Sequence, residues 1–174
     1  GVRREPALIP QASPGYLHSF GLTRRYVVML TQPFNFNLAK FLSPDRGPII
    51  TNYEWHPELP SQIILVDRKR GGVVKTFETD AFFAFHHINA YEKGDRVIVD
   101  VCAHKDAGVI DALYLKRIRK DHDVPQARYR RFEVNPSNGK LSKRDLIDAV
   151  IELPQKNYDA VNGRHYRYAY GVGL

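Results

Sequence analysis

An all-β chain, assembled from consecutive hairpins with one short helix, is what this sequence predicts. Short runs of β-branched and aromatic residues recur along its 174 residues, each bounded by turn-forming residues. Pairs of these runs are separated by Gly-bearing turns at Arg68-Lys-Arg-Gly-Gly, Glu92-Lys-Gly-Asp and Asn135-Pro-Ser-Asn-Gly. Helical spacing surfaces in one substantial place, Asp111 to Lys120.

In chain order, Pro6, Pro10 and Pro14 make the opening irregular. Tyr16-Leu-His-Ser-Phe-Gly-Leu-Thr then leads into a strand at Arg25-Tyr-Val-Val-Met-Leu. Residues 31–61 hold five prolines and read mostly as loop, with one helical turn at Leu38 to Leu42. Gln62 to Asp67 and Val73 to Phe77 form a hairpin. Phe82 to Glu92 is the next strand, turning into Arg96 to Cys102. Asp111 is the expected N-cap of the short helix. Tyr129 to Val134 opens a third hairpin, Leu146 to Leu153 is a further apolar run, and Arg164 to Gly171 closes as an alternating aromatic strand. Hairpins at this spacing suit a sandwich, a barrel or propeller blades, and no strict repeat selects among them.

The chain has the length of one domain with a sizeable core. Its 43% hydrophobic content is globular, its mean hydropathy is −0.41, and no apolar run is long enough to span a bilayer. Cys102, the one cysteine, excludes an intramolecular disulfide and fits a reducing compartment. Neither end reads as a targeting signal; both look cut, as in an internal piece of a longer protein. The net charge of +7 is scattered over Arg24-Arg25, Arg68 to Arg70, Lys116 to Lys120 and Arg128 to Arg131. It lacks the stripe interleaved with aromatics that a nucleic-acid binder shows, so nucleic acid is not the expected partner.

The stretch Phe82 to Glu92, Phe-Phe-Ala-Phe-His-His-Ile-Asn-Ala-Tyr-Glu, concentrates the chemistry. Each buried imidazole nitrogen needs a hydrogen-bond partner or a metal. Strand alternation sends His86 and His87 to opposite faces, with Phe83 and Phe85 beside His87, and with Ala84 leaving room beside His86. His56, His104, His122 and His165 read as surface or hydrogen-bonded histidines. No Ser/His/Asp set, phosphate loop or Cys-based zinc motif is present. A metal site would have to gather histidines remote in sequence.

Phe85-His-His-Ile-Asn-Ala-Tyr-Glu resembles the signature of the carotenoid cleavage oxygenase family, nearest its β-carotene oxygenase and retinoid isomerase branch. Tyr16 to Thr23 resembles a second family motif. Glu152-Leu-Pro-Gln-Lys-Asn-Tyr with Asn162 to Gly171 resembles a third, in the same order. The resemblance implies part of a seven-bladed β-propeller, with residues 1–174 a central fragment of one larger domain. It implies Fe(II) held by four histidines, of which His18 and His86 match two, the others lying before Gly1 and beyond Leu174. His87 falls at a variable position. Glu152 matches a glutamate that hydrogen-bonds a ligand histidine. The implied activity is dioxygenase cleavage, by O2, of a conjugated double bond of a carotenoid or apocarotenoid. A retinyl-ester isomerohydrolase and a propeller that binds carotenoid or membrane without turnover are the alternatives. The implied location is cytoplasmic, with peripheral membrane contact to which Lys116 to Lys120 would contribute.

Overall fold

The structure, a computed structural model, describes residues 7–11, 13–121 and 124–173. The first unit comprises β1 (Gly21–Leu22), β2 (Tyr26–Thr31), β3 (Phe34–Phe36), α1 (Leu38–Phe41), a 3₁₀ turn (Ile49–Asn52), β4 (Tyr53–Trp55), β5 (Ser61–Asp67) and β6 (Val73–Thr79). The second comprises β7 (His87–Lys93), β8 (Arg96–Ala103), α2 (Gly108–Ala112), α3 (Leu115–Asp121), β9 (Arg128–Val134) and β10 (Leu141–Val150). The chain then begins a third unit with β11 (Glu152–Gln155), α4 (Tyr158–Val161) and β12 (Tyr170–Val172).

Two four-stranded antiparallel sheets result, ordered β1-β2-β5-β6 and β7-β8-β9-β10. Each is an up-and-down meander, the shape of a propeller blade. Their facing sides make the main core. Val28, Leu30, Ile63, Leu65 and Phe77 of the first sheet belong to one cluster with Val97, Val99, Val101, Phe132 and Val134 of the second. Phe132, with no exposed surface, stacks on Phe82 at 5.2 Å. The inner strands β1 and β7 approach so closely that a Cβ on Gly21 would lie 2.9 Å from that of Ala90.

The run Val-Ile-Val-Asp-Val-Cys-Ala of β8 is buried on both faces, as a strand between two layers must be. Val97, Val99 and Val101 face the first sheet. Cys102, on the other side, packs with Ile88, Ala127 and Ile151 toward the third unit.

The all-β expectation holds, and several element expectations change. Phe82 to Glu92 is not one strand, because β7 starts at His87. The backbone N–H and C=O of Ala84 are both taken by the Gln32 side chain amide rather than by a neighbouring strand. Ala84 is consequently packed into the main core, and the room beside His86 is lined by other residues. The helix over 111–120 is two helices, and Asp111 lies inside α2 instead of capping it. Residues 31–61 include the β3–β4 hairpin. The final aromatic strand shrinks to Tyr170–Val172, leaving His165 outside it, because Tyr166 directs its hydroxyl to Asp100. The third hairpin is β9–β10, with Leu141 opposite Val134. His122 lies outside the described residues.

Candidate functional site

Segment ends place the site. His18 lies just before β1, His86 just before β7, His104 just after β8, and Glu152 starts β11. All four line one cavity of about 370 Å³, walled by Phe85, Val109, Leu113, Val124 and Val150 among others. A mostly apolar wall with a few convergent polar groups is the usual make-up of a small-molecule site.

The rings of His18 and His86 are 5.1 Å apart and nearly perpendicular. Nδ1 of His86 donates to Oε2 of Glu152 at 2.7 Å, which leaves Nε2 as the free lone pair. Nδ1 of His18 meets the Tyr16 hydroxyl at 3.0 Å. Neither Nε2 meets a protein partner among the described residues. Burial, then the neighbouring His86, pushes the His18 imidazolium below its ordinary range, against an opposing pull from Glu152. Burial alone would raise the Glu152 carboxyl. Hydrogen bonds from His104, His86 and the Leu153 N–H outweigh it and hold the group at about 2. The site is therefore a pair of imidazoles beside a fixed carboxylate, a donor set that suits a divalent first-row transition metal.

His87 takes no part in the cavity. The Ser19 hydroxyl donates to the Phe85 carbonyl at 2.7 Å. It accepts from the His87 backbone N–H and from Nδ1, each at 2.9 Å. With its one proton already spent on a carbonyl, the hydroxyl can only accept, so Nδ1 of His87 carries the ring proton. Burial, with Lys156 and His86 nearby, holds this imidazolium down to about 4. The two histidines diverge as the sequence predicts, though the cause is a chain bend before β7 rather than strand alternation.

The rest of the motif ties the units together. The β7–β8 register slips at Ile88, a bulge of the kind that re-aims side chains. The Ile88 carbonyl there accepts from Lys156 Nζ at 2.7 Å. Asn89, 2% exposed, donates to the carbonyls of Val161 and Arg164 at 3.0 Å each. It also accepts from the Gly163 N–H at 3.2 Å, and Gly163 takes a φ of +73° that glycine tolerates without strain. Glu92 accepts from the Thr23 hydroxyl, the Arg25 N–H and Arg25 Nε at 2.8–2.9 Å.

His18, His86 and Glu152 are thus brought together from three remote segments. Sequence reasoning placed His104 among satisfied histidines, and it is one. Its partner, however, is the Glu152 carboxylate, at 2.8 Å from Nε2. The signal was available: in β8 the side chains that face the third unit alternate as Asp100 and Cys102, and the next position is His104. Among the described residues no cluster of three or more metal-ligating side chains is complete.

Comparison with known proteins gives the family context. The pattern of the retinal pigment epithelial membrane protein family, RPE65, matches residues 2–174. The carotenoid isomerooxygenase of Galleria mellonella is 35% identical over 170 residues, covering 91% of this chain and 33% of that protein. The β,β-carotene 15,15'-dioxygenase of Gallus gallus is 32% identical over 91% of this chain and 36% of its own length. Among solved structures, cobalt-substituted Synechocystis ACO superposes with a TM-score of 0.79 at 28% identity, covering 91% of this chain and 33% of that one. The chain spans about a third of the length of the relatives it matches.

Proposed function

The chain belongs to the retinal pigment epithelial membrane protein family, with carotenoid oxygenases among its relatives. From that premise we infer that it supplies half of the iron site of a non-haem Fe(II) dioxygenase cleaving a carotenoid or apocarotenoid. His18 and His86 are two of the ligands, and the rest come from outside residues 1–174 of one propeller domain. The observation that carries this reading is the pair of imidazoles converging on an apolar cavity, each with one nitrogen held by a protein oxygen and the other without a partner among the described residues.

Bound there, Fe(II) would supply the activation of O2 for addition across one conjugated double bond, giving two carbonyl products. The chain's own residues do the rest. Glu152 holds the Nδ1 proton of His86 and so fixes its tautomer and orientation. Tyr16 orients His18. Phe85, Val109, Leu113 and Val124 exclude water and present a surface along which a polyene would lie. A substrate of that kind partitions into lipid, which supports a cytoplasmic protein with peripheral membrane contact. No described helix is long and apolar enough to cross a bilayer.

The test is iron retention and product formation by the full-length protein. His86→Ala should abolish iron binding, and β-carotene with O2 should yield aldehydes from the unsubstituted protein. Retained iron in the variant overturns the ligand assignment. Conversion of retinyl ester but not carotenoid replaces cleavage with isomerisation.

A further inference from the structure

We propose that His104 is a positioning residue for the metal-binding imidazole, holding the Glu152 carboxylate and withdrawing its charge so that the carboxylate polarises His86 only moderately. The proposal rests on the metal-site reading above and goes beyond it.

His104 is 2% exposed. Its Nδ1 faces the Pro125 carbonyl at 3.0 Å and its Nε2 faces Oε1 of Glu152 at 2.8 Å. A carboxylate oxygen only accepts, so the contact at Nε2 is a ring N–H donated to Glu152. The two oxygens of Glu152 are divided. Oε1 belongs to His104, while Oε2 takes Nδ1 of His86 at 2.7 Å and the Leu153 N–H at 2.8 Å. His104 therefore grips the carboxylate from the side away from His86, and the Pro125 carbonyl fixes the ring that does so.

Leu153 shows how tightly this arrangement is determined. Its φ of +49° is the one positive value at a non-glycine residue among those described. A left-handed leucine is strained and persists where its surroundings impose it. Here that conformation accompanies a backbone N–H turned onto the Glu152 carboxylate.

A carboxylate that accepts a ring N–H is less basic than one left free. It draws less on the His86 N–H, leaves His86 a weaker electron donor, and so disfavours the ferric state of the bound metal. A purely structural His104 would affect folding and nothing else.

The experiment uses full-length protein loaded with Fe(II), comparing His104→Phe and His104→Gln with the unsubstituted protein. Iron affinity is measured by chelator competition and the Fe(III)/Fe(II) midpoint by redox titration. His104→Phe, which keeps an aromatic ring but no donor, should lose iron affinity by about ten- to a hundred-fold. His104→Gln, whose amide can still donate to Oε1 but more weakly than a ring N–H, should recover affinity while the midpoint moves to lower potential. Unchanged affinity in His104→Phe overturns the positioning role. Should that variant fail to fold, an unchanged midpoint in His104→Gln overturns the proposal. Failure of the unsubstituted protein to bind iron would instead remove the metal-site reading itself.

Discussion

Asn89→Asp is nearly isosteric, yet it should be among the most damaging single changes in the chain. The asparagine amide donates to two carbonyls, of Val161 and Arg164 at 3.0 Å, and accepts one N–H from Gly163. The substitution deletes both donors and turns a carboxylate oxygen toward two carbonyl oxygens. Each of the two lost hydrogen bonds is worth about 1 kcal/mol net, and leaving its partner unsatisfied adds a similar amount, so a loss of about 4 kcal/mol is expected at neutral pH. The new carboxyl is destabilised as an anion in the folded state, so its folded pKa rises above its unfolded value near 3.9. Between those two values the folded state binds more protons, so the deficit shrinks as pH falls. Urea unfolding of the full-length protein at pH 7 and pH 5, with the slope unchanged, measures both effects. A deficit below about 1 kcal/mol, or one that ignores pH, would refute the clamp.

Other changes probe other joints. Asp100 is fully buried and accepts from Nε and an Nη of Arg131 at 2.8 Å each, and from the Tyr166 hydroxyl at 2.5 Å. Asp100→Asn should therefore cost about 3 kcal/mol, whereas Asp100→Leu combined with Arg131→Met should recover much of it; the urea midpoints of the three proteins decide. Burial raises the Glu92 carboxyl, but hydrogen bonds from Thr23 and Arg25 more than offset it and hold the group below 4.5. Its stabilisation is present above the unfolded value near 4.5 and is lost as pH falls below it. Glu92→Gln should accordingly flatten the acid limb of the stability profile; an unaltered limb would mean that the link to Thr23 and Arg25 contributes nothing.

What was legible in the sequence was the set of residues that bind across segments. Within Phe85 to Glu92, His86 finds Glu152, His87 finds Ser19, Asn89 finds the turn at Gly163, and Glu92 finds Thr23 and Arg25. A polar residue placed in an apolar run must have a partner, and that demand is visible without coordinates. The hairpins were legible because their turns announce them. The path of Phe82 to His86 was not, because a tertiary contact from Gln32 replaces the strand ladder that its aromatic composition favours. The extent of the last strand was hidden for a similar reason, with Tyr166 tied to a buried carboxylate in the neighbouring unit. His104 escaped because its importance lies in which oxygen it meets, and only the packing of two units defines that.

The contact between Gly21 and Ala90 has a consequence for how the site is gauged. His18 stands three positions before Gly21, and His86 four before Ala90. The two strands that lead away from these histidines are thus held apart there by no more than a hydrogen atom and a methyl group. A single added methyl at Gly21 would act as a shim between the two inner strands, spreading the histidines without touching either of them. The smallest side chains in these motifs are the ruler by which the spacing of the two histidines is cut.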